Sequence, residues 1–234
     1  MGLETGHHRD PMNLHFPEPW CSRLQSTGAV AVVIVDDPHH AEPLAAALLE
    51  GGIDLIELTL RTPAALESIR RIRQAFPTVG IGAGTLLDAD QVQAAADAGA
   101  TFGVAPGLNP DVVKAAQVAG LPFAPGVCTP TEIDRALGLG CGLLKYFPAE
   151  TLGGARHLRI TTAPFSHLGV RYIPLGGITL PSAESYLREP SVIALGGSWI
   201  APRDLISGGH WDQIRDNARA VRRLVDSIRQ PRTA

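Results

Sequence analysis

Lysine is nearly missing from this 234-residue chain. Its 20 Lys plus Arg include only two lysines, Lys114 and Lys145, so its surface cations are almost all Arg. Cysteine pairs are missing as well. Cys21, Cys128 and Cys141 are widely spaced and form no CxxC, which argues against a disulfide framework or a zinc site and fits a reducing cytoplasm. No apolar run reaches bilayer length, so no membrane is expected as a partner. The first twenty residues carry His, Asp, Glu and Pro rather than an apolar leader core. A basic field is absent too: the net charge is −3, and nucleic acid is not expected as a partner. His7-His8 and His39-His40 lack carboxylates at ligand spacing, so they read as solvated and no metal is expected. No linker divides the chain, which predicts one domain over 19–230 after a flexible polar extension over 1–18.

What is present is globular: 45% hydrophobic and 18% charged residues. Short β-rich runs are expected at 29–35, 55–60, 79–84, 102–105, 122–126, 143–147, 171–175 and 192–195. Amphipathic helical stretches lie between them at 38–50, 63–75, 88–98, 110–119, 130–139, 153–161 and 181–188, with a last helix over 208–229. Asp37-Pro38, Thr62-Pro63, Asn109-Pro110 and Thr129-Pro130 each set a cap residue before a first-turn proline. Gly51, Gly99, Gly120 and Gly140 follow helices as stops. Eight strand–helix units predict an α/β fold of the (β/α)8 TIM-barrel type. The competing doubly wound sheet expects a glycine-rich first turn, and the chain has Val35-Asp36-Asp37-Pro38 there instead. The segment 19–27 reads as an extra helix closing the bottom of the barrel.

Lys145 sits in Gly142-Leu143-Leu144-Lys145-Tyr146-Phe147-Pro148, an apolar strand where a cation has no evident reason to be. It is either an edge charge or snorkelling side chain, or an amine that must lose its proton to attack a carbonyl, which a guanidinium cannot do. Side-chain alternation along the second strand sets Ile56, Leu58 and Leu60 toward the helices and Glu57, Thr59 and Arg61 inward, with Arg61 highest at the C-terminal mouth. A carboxylate inside a barrel needs a partner. A salt bridge from Glu57 to an Arg is one possibility, and Lys145 is the other. The same alternation sets Leu143, Lys145 and Phe147 on one face. Apolar surroundings and a nearby cation favour a neutral amine in general. Arg61 can supply that cation and grip a carboxylate through its planar fork. Gly176-Gly177 after the seventh strand and Gly196-Gly197-Ser198 after the eighth fall where barrels hold phosphate through backbone N–H groups, although glycines also make plain turns. Gly82-Ala83-Gly84-Thr85 and Pro106-Gly107 add a small-residue rim and a hydroxyl, and structural turns explain them equally well.

Taken in order, Glu57-Leu-Thr-Leu-Arg61-Thr, Gly82-Ala-Gly-Thr85, Ala105-Pro-Gly107, Lys145-Tyr-Phe-Pro-Ala-Glu150, Gly176-Gly-Ile178 and Gly196-Gly-Ser-Trp199 resemble the 2-keto-3-deoxy-6-phosphogluconate (KDPG) aldolase family. That family includes 4-hydroxy-2-oxoglutarate (KHG) aldolases, and the likeness runs from about residue 25 to about residue 225. It implies a (β/α)8 barrel, a homotrimer, and a class I aldolase that needs no cofactor or metal and acts on a small-molecule substrate through a Schiff base. Carried over by position, Lys145 is the imine-forming lysine and Glu57 the general acid/base. Arg61 and Thr85 hold the carboxylate end of the pyruvate portion, Pro106 and Phe147 shape its wall, and Gly176, Gly177, Gly197 and Ser198 form the phosphate end. Leu175 stands where many of the family carry a Thr that can contact a substrate hydroxyl, which leaves the preferred sugar-acid epimer open. Tyr146 replaces a frequent Phe, but alternation points it outward. Three rival readings remain: a phosphosugar isomerase or epimerase with Glu57 as base, a metal-dependent pyruvate aldolase, and a catalytically silent sugar-phosphate-binding barrel.

Overall fold

The computed structural model describes residues 16–229. Helix α1 (Glu18–Thr27) leads into β1 (Ala29–Val33), a 3-10 turn over Pro38–His40 and α2 (Ala41–Glu50). Next come β2 (Leu55–Thr59), α3 (Ala65–Ala75), β3 (Gly80–Gly84), α4 (Ala89–Asp97), β4 (Phe102–Val104) and α5 (Pro110–Val118). The second half holds β5 (Phe123–Ala124), β6 (Gly126–Val127), α6 (Pro130–Gly138), β7 (Leu143–Tyr146) and α7 (Gly154–Thr162). It ends with β8 (Arg171–Pro174), α8 (Leu180–Leu187), β9 (Leu195–Gly197), α9 (Arg203–Ser207) and α10 (Trp211–Arg229). Residues 1–15, most of the expected flexible extension, lie outside the described residues. Phe16 packs against the interior apolar cluster, and α1 begins at Glu18.

Local signals explain most of the helix ends. Asn109 caps α5 by accepting from Asp111 N at 3.0 Å. Thr129 and Glu132 close a reciprocal capping box on α6. Two signals resolve differently from expectation. Thr62-Pro63 does not start a helix: the Thr62 hydroxyl donates to the Val35 carbonyl at 2.5 Å, and α3 begins only at Ala65. The left-handed stop after α2 is Gly52, with φ 86°, and Gly51 stays helical. The Gly52 N–H bonds Leu49 O and the Ile53 N–H bonds Leu48 O, the paired bonds of a Schellman turn.

Every strand pairing is parallel, in two ladders ordered β5-β4-β3-β2-β1-β9 and β6-β7-β8. The strand expected at 122–126 is divided because Pro125 has no N–H to give a ladder. The Pro125 carbonyl still accepts from Lys145 N at 2.9 Å. The two halves serve different neighbours, β5 pairing with β4 and β6 with β7. The strand expected at 192–195 is displaced. Val192 makes an isolated bridge to Tyr172 on β8, while Leu195–Gly197 pairs with β1. The architecture is thus an α/β fold of parallel strands wrapped by helices.

Alternation sorts the apolar residues into two clusters. Ile56, Leu58, Leu144 and Tyr146 pack outward with the helices, whereas Leu55, Phe102, Leu143 and Ile173 pack inward on one another. Helix α10 buries Ile214, Ala218, Val221 and Val225 along one stripe, at i, i+4, i+7 and i+11. Among the described residues no helix is long and apolar enough to cross a membrane.

Candidate active site

Glu57 lies mid-way along β2, where alternation turns it inward with Leu55. Lys145 does the same on β7 beside Leu143. The two meet: Lys145 Nζ donates to Glu57 Oε1 at 3.0 Å. Glu57 is 2% exposed and Lys145 6%, so this is a buried pair. The carboxylate's partner is therefore the lysine, not an arginine. Removing one member of a buried pair strands the other charge and typically costs about 3–5 kcal/mol. The Phe147 ring centroid lies 5.6 Å from Nζ, within cation–π range.

Strand β3 leaves room for the pair by having no inward side chains. Gly80, Gly82 and Gly84 face the interior while Ile81 and Ala83 pack outward. A Cβ on Gly84 would lie 2.3 Å from Glu57 Oε1, and one on Gly82 would lie 2.1 Å from the Phe102 ring. These glycines are there for close approach rather than for turning. The next residue, Thr85, is half-buried with φ 62°. A β-branched residue held in the left-handed region costs about 1–3 kcal/mol, a strain that tends to collect at functional sites.

Because all strands run the same way, their C-terminal ends share one rim. Arg61, Thr85, Pro106, Phe147, Gly176 and Ser198 all follow strand ends there. Gly126 must lack a side chain because a Cβ would meet the Pro106 carbonyl at 2.2 Å. Gly176 and Gly177 have φ 97° and 81°, and a Cβ on Gly176 would lie 3.0 Å from the Phe147 ring. Gly177 and Ser198 are exposed and Gly197 is buried. A bidentate ion pair between Arg203 and Asp36, with contacts at 2.7 and 2.6 Å, ties the start of α9 to the loop after β1. The structure thus brings Glu57 and Lys145 into contact and sets the Phe147 ring beside the amine. Arg61 is exposed and makes no side-chain hydrogen bond or ion pair among the described residues. Among these residues no three of His, Cys, Asp and Glu gather as a metal site.

Other features carry little sequence signal. Behind β7, the outward Tyr146 hydroxyl hydrogen-bonds His157 Nδ1 on α7, and burial pushes its pKa up. Burial first, and the Glu132 carboxylate second, push the Cys128 thiol up as well. Beneath the pair lies a cavity of about 20 Å³, bordered by Phe16, Trp20 and Leu24 from the α1 side and by Leu175 from β8's end. Alternation reveals which strand residues face inward, but not which helix residues cover them from below.

Comparison with known proteins adds an independent line. The profile of the KDPG and KHG aldolase family matches residues 21–217. The 2-dehydro-3-deoxy-phosphogluconate aldolase of Treponema pallidum is 42% identical over 191 residues, covering 82% of this chain and 90% of that protein. The crystal structure of KDPG aldolase from Legionella pneumophila, with pyruvate captured as a covalent carbinolamine, superposes with a TM-score of 0.82 at 35% identity and covers 86% of this chain and 97% of that one. The KDPG aldolase of Zymomonas mobilis with 3-phosphoglycerate gives a TM-score of 0.78 at 34% identity, covering 92% of this chain and 98% of that one.

Proposed function

The chain belongs to the KDPG and KHG aldolase family, and on that premise we infer that it is a class I aldolase splitting 2-keto-3-deoxy-6-phosphogluconate into pyruvate and glyceraldehyde 3-phosphate. The observation that carries the residue assignment is the buried amine–carboxylate contact at 3.0 Å. Lys145 is the nucleophile. Glu57 takes a proton from it, and the freed amine attacks the C2 ketone. Glu57 returns that proton to the carbinolamine hydroxyl, which leaves as water, and the resulting iminium draws electrons from the C3–C4 bond. Glu57, directly or through a water, removes the C4 hydroxyl proton. The C3–C4 bond then breaks and the aldehyde leaves. The enamine regains a proton at C3, and water hydrolyses the iminium to free pyruvate and Lys145.

Arg61 holds the carboxylate through its fork, Thr85 adds its hydroxyl beside it, and Pro106 and Phe147 wall the pyruvate portion. Gly176, Gly177, Gly197 and Ser198 receive the phosphate. Exposure at the rim supports Arg61 and Ser198 for these roles. The proposed frame is one closed (β/α)8 barrel over 19–230. Two runs support it by touching both ladders: the segment from Val192 to Gly197, and the segment divided at Pro125. The active form is proposed as a cytoplasmic homotrimer without a cofactor. Leu175 is buried at the interior end of the Gly-Gly turn and offers no hydroxyl, so the competing substrates are the 6-phosphogalactonate epimer and 4-hydroxy-2-oxoglutarate.

The test is borohydride trapping with pyruvate, followed by peptide mass mapping and kcat/KM on the three substrates. A reduced adduct on Lys145 and the highest kcat/KM on the gluconate substrate are expected. No adduct in folded protein would sink the imine assignment and favour an isomerase or a silent barrel. An adduct with higher kcat/KM on another substrate would overturn only the substrate choice.

A further inference from the structure

The space under the Lys145–Glu57 pair is closed from below by a helix that lies outside the strand ladders. The cavity of about 20 Å³ is bordered by Glu57 and Lys145 above, by Trp20 and Leu24 of α1 and by Phe16 below, and by apolar strand side chains around. It has room for one water at most, and a buried water wants about 2–4 polar partners. Apart from the pair itself, the lining offers no carboxylate, hydroxyl or amide side chain among the described residues.

The helix is fastened, not merely leaned, against the strand ends. Arg23 Nε bonds Asp54 Oδ2 at 2.8 Å, and Arg23 Nη2 reaches the Thr78 carbonyl at 2.6 Å. The Thr27 hydroxyl bonds Asp54 Oδ1 at 2.6 Å. Asp54 immediately precedes β2, the strand that carries Glu57. Trp20 meets the Phe102 ring edge-on at 5.8 Å and sits under the Arg23 guanidinium at 5.5 Å. The strands are shaped to receive it: a Cβ on Gly80 would lie 2.9 Å from the Trp20 ring.

We propose that α1 is a water-excluding plug, and that Trp20 and Leu24 are positioning residues for the amine–carboxylate pair. Neither reaches the rim where substrate enters. They act by keeping the underside of the pair apolar, so that the ammonium and the carboxylate have only each other as partners until substrate arrives. A polar group or water beneath would offer each a second partner and weaken their attraction by raising the local dielectric. The direct proton handover at 3.0 Å would then be lost.

The proposal rests on Lys145 forming the imine, so wild-type trapping is the control for that reading. Leu24→Asn puts a polar group of similar size under the pair, and Leu24→Met keeps the site apolar. For Leu24→Asn, kcat and the rate of borohydride trapping at saturating pyruvate should fall about tenfold with KM within about twofold of wild type. Leu24→Met should behave as wild type. If Leu24→Asn does not fold, Arg23→Gln loosens the fastening without entering the cavity and should show the same split in smaller measure. A wild-type adduct on Lys145 together with unchanged trapping in the folded polar variant overturns the plug. So does an equal loss in Leu24→Met, or a change in KM with kcat kept. Failure of the wild type itself to trap on Lys145 overturns the residue assignment beneath it.

Discussion

Gly84→Ala is the smallest change that reaches the chemistry without substituting a reacting group. Its methyl carbon would stand 2.3 Å from Glu57 Oε1, where ordinary contact begins at 3.4 Å. The carboxylate must therefore retreat by about 1 Å, and a misplacement of about 1 Å can cost about 100-fold in rate. That is about 2.7 kcal/mol of transition-state stabilisation. Overpacking adds about 1–3 kcal/mol of lost stability. Pyruvate release in a lactate-dehydrogenase-coupled assay reads the first effect, and thermal unfolding reads the second. Pairing the change with Glu57→Asp, which shortens the side chain by one methylene, supplies the internal check. If the clash is the cause, Gly84→Ala should cost much less in the Glu57→Asp background than alone. Wild-type turnover in Gly84→Ala, or strict additivity of the two changes, would refute the claim that this glycine exists to admit the carboxylate.

Lys145→Arg keeps the positive charge but cannot form an imine, so it should show neither turnover nor a trapped adduct. Glu57→Gln should still trap pyruvate while turnover falls by about 100-fold or more. Native Cys141, its thiol pushed up to about 11 by burial, should resist iodoacetamide at pH 8 and react only after denaturation, as peptide mapping would read. Thr129→Ala removes half of the α6 capping box and should cost about 1 kcal/mol, or about 2–4 °C in Tm. Burial raises the Glu132 pKa, but hydrogen bonds from Cys128 and Thr129 outweigh it and leave the value lowered. The box therefore stabilises fully above the ordinary carboxylate range, and that contribution fades as pH falls through the folded value. The Thr129→Ala deficit in Tm should shrink in acid, and a pH-independent deficit would contradict this.

The pair itself was legible because period-two alternation is rigid. Once 55–60 and 143–147 are strands, Glu57 and Lys145 have only two faces to choose from, and the apolar alternates claim the other one. Scarcity helped, since one of only two lysines beside eighteen arginines marks a place where an amine was required. Strand breaks were less legible. Pro125 interrupts one ladder without ending the chain's extended course, and nothing in a five-residue window separates those outcomes. The start of α3 is hidden from the sequence because Thr62 has two uses for its hydroxyl, and the Val35 carbonyl, 27 residues away, takes it. Leu24 and Trp20 look like any amphipathic helix residues until the strands they cover are assembled. The meaning of Gly80, Gly82 and Gly84 also waits on their neighbours. Only beside Trp20, Phe102 and Glu57 do three alternate glycines become a recess.

Glu57 and Lys145 stand 88 positions apart in the sequence and belong to separate ladders. Neither half of the chain can assemble the reaction centre on its own. The contact is a long-range one, and such contacts form late because the closure entropy of the intervening chain must be overcome first. During refolding, helix content should therefore return ahead of the capacity to form an imine. Regained activity would then time the last meeting of distant strands, so the enzyme's own reaction serves as a clock for completion of its fold.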